Sequence, residues 1–351
     1  MLLFDAHLDI GMNAVEWNRD YTRTLAEVRG DEARLTDKRD RGRGTVTLAE
    51  LRRGEVQMCV ATLIARVEMN AWSPVAGWRS QAQAWAITEA QLAWYRAMEE
   101  AGEMRMVRDR AGLDAAVADP QRAIPFLLSL EGADSLITPG HLERRYEAGL
   151  RAIGPAHYGP GVYANGTDAT GGLPGKGREL LREIERLGMI LDATHLCDDC
   201  FWEALEVFGG AVWASHHNSR ALVPHNRQLS DEMFLALKER GAVVGVALDA
   251  WMIVPGWERG KTTPQSAGVT LEHLADHIDH FCQLAGNAQH VGIGSDLDGA
   301  FGTEQTPQDV DSIADLQKLT GILASRGYGA ADIEGIFHGN FLRFLREALP
   351  A

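Results

Sequence analysis

The sequence predicts an α/β fold, a (β/α)8 TIM barrel, on three observations. Short apolar runs recur down the chain, each leads toward a stretch with helical period, and there are eight such runs, the number that closes a barrel. An open doubly wound sheet would alternate in the same way, so the placing of the polar residues has to decide between the two. In order, the first strand is Leu2–Leu8, followed by the charge-dense Arg19–Arg53, which reads as a solvated loop or helix. Val56–Ile64 leads to helix Ser80–Glu100, and Ile124–Leu130 precedes Ala148–Pro155, which leads to helix Gly177–Leu187. Met189–Thr194 pairs with Asp199–Phe208, Ala211–Ser215 with Ser230–Arg240, Ala242–Leu248 with Leu271–Ala285, and His290–Ser295 with Thr306–Arg326. No Pro/Gly/Ser-rich linker, internal repeat or low-complexity tract interrupts the series, so one barrel domain over residues 1–351 is expected.

Composition narrows the partners. The chain carries 34 Lys+Arg against 49 Asp+Glu, a formal charge of −15, at 45% hydrophobic and 24% charged residues. Such a surface repels nucleic-acid phosphates and anionic lipid, which leaves a small molecule as the expected partner. The start, Met1-Leu2-Leu3-Phe4-Asp5-Ala6-His7, lacks a basic region and its apolar run is broken by Asp5, so no secretory signal is expected. No uncharged apolar stretch approaches the ~20 residues of a membrane span, and the cytoplasm is the expected location. The cysteines, Cys59, Cys197, Cys200 and Cys282, are too scattered for a disulfide framework and are read as thiols.

The residues best able to bind metal sit where the apolar runs end: His7 and Asp9, Glu131, His157, His195, His216 and Asp296. Any one of these histidines alone would be read as a core residue satisfied by a hydrogen bond. In a TIM barrel, however, all strand carboxyl ends converge on one face, where active sites are built. Side chains two apart on a strand share a face, so His7 and Asp9 are able to reach one ion. Three histidines with at least two carboxylates exceed the three ligands of a single catalytic zinc, and two metals sharing a carboxylate account for the surplus.

Several runs carry a resemblance: Asp5-Ala6-His7-Leu8-Asp9, Ser129-Leu130-Glu131-Gly132, Asp192-Ala193-Thr194-His195, Ala214-Ser215-His216, His225-Asn226-Arg227-Gln228-Leu229-Ser230-Asp231 and Gly294-Ser295-Asp296-Leu297-Asp298-Gly299. In this order, and with Gly339-Asn340-Phe341-Leu342-Arg343 near the C-terminus, the chain resembles the membrane (renal) dipeptidase family, the M19 metallopeptidase branch of the amidohydrolase superfamily. The resemblance implies a barrel of the metal-dependent hydrolase type with two Zn2+ ions. It implies His7 and Asp9 on the first ion, His195 and His216 on the second, and Glu131 bridging both. Asp296 would be general base and acid, His157 would polarise the scissile carbonyl, and Arg227 would hold the substrate carboxylate. Three departures stand out. Pro155-Ala156-His157-Tyr158 keeps little of the pattern beyond its histidine, Gln228 follows the arginine where the family usually shows Pro-Arg-Asn, and Leu297 replaces an aromatic, an exchange expected to reshape the pocket.

The implied activity is hydrolysis of dipeptides, including L,D-dipeptides, by a metal-activated water, and the implied assembly is a homodimer. Two alternatives remain at this level. Another metallohydrolase of the superfamily, acting on an N-acyl amino acid, lactone or phosphotriester, would commonly open with His-x-His and use a lysine bridge, against His7-x-Asp9 and Glu131 here. A barrel binding metal or peptide without turnover would be favoured by missing ligands, and none is missing. Other motifs have plainer readings. Cys197-Asp198-Asp199-Cys200 lacks the second pair of a zinc knuckle and a thioredoxin-like context. His273, His277 and His280 share a helix face and are read as a polar face on the barrel's outside. His217 competes with His216, and the Ser-His order selects His216. Gly292-Ile293-Gly294 lacks the third glycine of a nucleotide loop, and Trp85 and Trp94 are read as packing. Whether Trp251 and Met252 line the pocket is left open.

Overall fold

In the computed structural model, which describes residues 1–67, 77–118 and 123–351, the apolar runs form parallel strands. They are β1 (Leu3–Leu8), β2 (Val56–Ile64), β3 (Met104–Val107), β4 (Ile124–Glu131), β5 (Leu150–Gly154), β6 (Ile190–Asp192), β7 (Val212–Trp213), β8 (Val244–Val246) and β9 (Val291–Ile293). Their spatial order is β7-β6-β5-β4-β2-β1-β9-β8. A parallel bridge from Ala214 to Val244 joins the two ends of that path and closes the cylinder. The expected strands are all present. The addition is β3, which pairs with Ile124–Leu127 of β4, while β5 takes the following residues from Leu128 to Glu131. Only four residues long and carrying Arg105, β3 has no apolar run to announce it.

Inside the cylinder pack Phe4 and Ala6 of β1, Met58 and Val60 of β2, Leu127, Ala152, Ile190 and Trp213. The C-terminal helix Asn340–Ala348 joins this cluster: Phe341 stacks on Phe4 at 5.1 Å and meets Trp213 edge-on at 5.8 Å. Asn340 fastens the helix by donating to the carbonyls of Ala288 and Val291, both at 2.7 Å. The two glycines around Ile293 serve this packing. A Cβ on Gly292 would lie 2.4 Å from the Phe341 ring, and one on Gly294 would lie 1.8 Å from the Ser215 carbonyl oxygen.

Helices cover the outside. Gln81–Glu100 is capped by Ser80, whose hydroxyl accepts from the Gln83 amide, and Trp85 and Trp94 pack from it onto the main core. Leu271–Ala285 matches its expected bounds. Residues 306–312 are not helical as expected; a 3-10 turn, Ile313–Gln317, leads into helix Lys318–Ser325. The face assigned to His273, His277 and His280 also needs correction. His277 is 1% exposed, its Nδ1 accepting from the Ser219 amide and its Nε2 donating to the Ile253 carbonyl, both at 3.0 Å. Burial pushes that imidazole down to about 4 and keeps it neutral, so it ties the loop after β7 to the helix. Among the described residues, no helix is long and apolar enough to cross a membrane.

Segment Arg19–Arg53 departs from its solvated reading at three charges, Arg19, Glu32 and Asp40, which face inward while the others stay exposed or half-buried. Arg19, 3% exposed, donates to Glu32 at 2.9 Å, Asp40 at 2.8 Å and the Asn13 side chain at 2.7 Å, and lies 3.4 Å from Asp298. Asp298 in turn accepts from the Thr45 amide and hydroxyl and from Tyr21. The charges are buried because they satisfy one another across the top of the barrel. Arg19→Ala leaves Asp40 and Asp298 buried without their cation and is expected to destabilise the protein by about 3–5 kcal/mol. The check is a urea midpoint that falls at unchanged slope; a loss below about 1 kcal/mol, the range of a surface pair, would contradict the network's role.

Candidate functional site

The barrel repeats one device around its rim. His157, His195, His216 and Asp296 each lie three residues past the end of their strands β5, β6, β7 and β9, while Glu131 is the last residue of β4. His7 is within β1 and Asp9 directly follows it. These seven side chains meet. Glu131 Oε2 lies 3.4 Å from His7 Nε2, and Glu131 Oε1 lies 3.2 Å from His195 Nε2, 3.3 Å from His216 Nε2 and 4.0 Å from His157 Nε2. His7 Nε2 is also 3.6 Å from Asp9 and 3.8 Å from Asp296. One carboxylate thus turns an oxygen toward each of two donor sets. Donor atoms of His7, Asp9 and Glu131 lie within 4.8 Å of one another, as do those of Glu131, His157 and His195 and those of His7, His216 and Asp296.

The rings are held from behind. His195 Nδ1 meets the Thr167 hydroxyl and His216 Nδ1 the Ser215 hydroxyl, each at 2.9 Å, which leaves the two Nε2 atoms 3.3 Å apart and facing each other. Thr62 donates its hydroxyl to the Asp9 carboxylate. His217 points elsewhere: its Nε2 accepts from the His195 amide at 3.2 Å. Two aspartates that sequence reasoning did not single out set the backbone. Asp5 Oδ1 accepts the amides of His7 at 3.1 Å and Ser295 at 2.9 Å, and Asp192 Oδ1 accepts those of Thr194 at 3.0 Å and Ser215 at 3.1 Å. Each stitches its own strand end to a neighbouring strand. The available signal was an aspartate two residues before His7 and three before His195. Asn13 completes the staple, its amide donating to the carbonyls of Asp9 at 3.0 Å and Asp298 at 2.7 Å.

Strain and charge concentrate here. His195 and Asp296 hold φ of +68° and +58°, a left-handed backbone costly for residues with a Cβ. Burial alone would discharge His7, but Glu131, Asp9 and Asp296 lift its imidazole to about 10. Burial raises Asp9 to about 7 with Glu131 adding to the rise, and burial also pushes Asp296 well up. Glu131, facing the histidines, stays well below the carboxylate range despite its burial. Burial drives His157 down to about 3, so that ring is neutral.

The cluster floors a cavity of about 480 Å³ whose wall includes Tyr158, Arg227, Asp249, Met252, Arg259 and residues 36–40. Arg227 is 1% exposed, and its Nη1 has no hydrogen-bond partner among the described residues. Met252 lines the cavity; Trp251 stands behind it, donating its indole N–H to Asp249 at 2.6 Å. Leu297 does not reshape the pocket as expected, because it is fully buried in the main core and absent from the wall. All four cysteines are buried free thiols.

Comparison with known proteins agrees with this architecture. The chain is 29% identical to the Klebsiella pneumoniae protein of the pqqA 5′ region over 255 residues, 70% of this chain and 89% of that one. It is 30% identical to dipeptidase tcpJ of Claviceps purpurea over 230 residues, 62% of this chain and 50% of the fungal protein, so it spans about half the length of that relative. A Rhodobacter sphaeroides metallopeptidase, solved with a phosphinate mimic of the dipeptide L-Ala-D-Ala, shares the fold at a TM-score of 0.80 and 22% identity, over 99% of both chains. The family model for membrane dipeptidases, peptidase family M19, matches residues 1–350, and the chain belongs to that family.

Proposed function

We propose that this chain is a dipeptidase that works with two zinc ions in a single barrel domain, cleaving dipeptides that include L,D forms. The observation that carries the reading is Glu131, whose two oxygens face separate donor sets on the floor of a cavity of short-peptide size. The donors suit metal. His7 Nε2 is buried with no hydrogen-bond partner among the described residues, yet three carboxylates surround it at 3.4–3.8 Å. The Nε2 atoms of His195 and His216 converge while their Nδ1 atoms are occupied. Imidazole and carboxylate without thiolate is a zinc-compatible set. His7, Asp9 and one Glu131 oxygen would hold one ion, and His195, His216 and the other oxygen the second.

Bound there, the metal pair acidifies water and polarises a carbonyl oxygen. The chain's own residues do the rest. Arg227, buried with an open Nη1, binds the terminal carboxylate, and this anchor close to the metal centre restricts substrates to one residue beyond the scissile bond. Neutral His157 donates to the carbonyl oxygen as it gains charge. Asp296 takes the proton of the attacking water and returns it to the leaving amine. The Rhodobacter sphaeroides neighbour's L-Ala-D-Ala mimic supports the L,D class. The test is dialysis against a chelator followed by zinc titration. Hydrolysis of L-Ala-L-Ala and L-Ala-D-Ala should vanish and return with two equivalents of zinc. Full activity at one equivalent would exclude the metal pair, and turnover of a lactone with none of the dipeptides would favour another superfamily activity.

A further inference from the structure

We propose that Arg259 makes the site selective for dipeptides whose C-terminal residue carries a carboxylate side chain. The proposal deepens the dipeptidase reading and rests on it. Arg259 lines the same cavity as Arg227. Its guanidinium lies over the rings of Trp251 at 4.8 Å and Tyr158 at 5.9 Å and donates to the Tyr158 hydroxyl at 3.3 Å. Though the residue is exposed, these contacts turn its guanidinium toward the cavity. Yet among the described residues no carboxylate comes within ion-pair distance of it, although the cavity wall is rich in acids.

Those acids are engaged elsewhere, Glu304 with the Gly302 amide at 3.1 Å. Asp40 binds Arg19 at 2.8 Å, Asp37 binds Arg41 at 2.9 Å, and Asp249 takes the N–H of Trp251 and, at 2.9 Å, the amide of Gln305. Asp168 lies 3.5 Å from His225. The metal-side carboxylates Asp9, Glu131 and Asp296 belong to the donor cluster. What the wall offers an incoming molecule beyond the metal centre is four cations, of which Lys38 lies 3.9 Å over the Trp17 ring and Arg39 beside it, while Arg227 is buried deep and Arg259 is the exposed one stacked beside it on Trp251 and Tyr158.

Arg227 and Arg259 act at one end of the cavity. The Arg259 guanidinium lies over Trp251, the Trp251 ring meets His225 edge-on at 4.9 Å, and His225 Nδ1 accepts the Arg227 amide at 3.1 Å. A substrate whose terminal carboxylate sits on Arg227 would thus place the side chain of that same residue toward Arg259. A second carboxylate is the group that a planar, stacked and otherwise unpaired guanidinium recognises.

The experiment uses the zinc-loaded full chain and matched pairs, Ala-Glu against Ala-Gln, with the C-terminal residue in L and in D form. The wild type should prefer Glu over Gln in kcat/KM by about tenfold or more, the size of one charge-assisted contact. Arg259→Gln should collapse that ratio toward one, chiefly through KM, and Arg259→Glu should shift preference toward Ala-Lys. A wild-type ratio at or below one overturns the proposal. So does a uniform loss on every dipeptide in Arg259→Gln, which would mean service to the terminal carboxylate, or a collapse of the ratio in Lys38→Gln in place of Arg259→Gln. Failure of the wild type on all dipeptides overturns the dipeptidase reading itself, and the proposal falls with it.

Discussion

Glu131→Ala is expected to empty the site of metal and to lower dipeptide kcat/KM by about 10³-fold or more, equivalent to about 4 kcal/mol of transition-state stabilisation. Glu131 faces both halves of the cluster with separate oxygens: it reaches His7 at 3.4 Å through one and His195 and His216 at 3.2 and 3.3 Å through the other. On the proposed two-zinc site its removal would take a ligand from each ion and also the anion that separates two cations in a buried setting, where charge is costly. Glu131→Gln keeps the volume and one oxygen acceptor, so it separates loss of charge from loss of packing; both variants should lose metal. Elemental analysis beside steady-state kinetics makes the check. An alanine variant that still holds two equivalents of zinc would remove the bridge from the proposal.

The strand ends announced this cluster because they break a local pattern. His7, Glu131, His195, His216 and Asp296 each put a polar group where an apolar run stops, and the barrel topology that the runs imply brings such places together. What stayed hidden depends on distant partners. Arg19, Glu32 and Asp40 read as a solvated stretch because nothing near them shows that Asp298 waits on the other side of the chain, 253 residues from Thr45. His277 looked like part of an outer polar face since its two partners, the Ser219 amide and Ile253 carbonyl, are backbone groups without sequence signature. The short strand β3 is legible only through its pairing with β4. Asp5 and Asp192 lie between local and distant: each is two residues from one amide it accepts, but its second amide belongs to another strand.

Asp296→Asn is expected to keep both metals and lower kcat by about 10²–10⁴-fold, the usual worth of a positioned proton-transfer group. Retention follows from how the residue is held. Its amide donates to the His7 carbonyl at 3.2 Å, and the next turn is fixed by Asp298, which the Thr45 hydroxyl and amide and the Tyr21 hydroxyl all grip. Asparagine matches the size of aspartate and tolerates the left-handed φ of +58° better than most residues. The turn leaves little room for any other shape, since a Cβ on Gly299 would lie 2.1 Å from Asp296 Oδ1. The variant therefore keeps the atoms in place and removes only the ability to carry a proton. Because Asp296 also lies within 4.8 Å of the donors of His7 and His216, a rival role as ligand makes an opposite forecast. Loss of an equivalent of zinc in Asp296→Asn would assign it to the metal. Full metal with unchanged kcat would shift proton transfer to His157, the other polar group at the reacting carbonyl; full metal with a slow kcat is the outcome that the geometry of the turn demands.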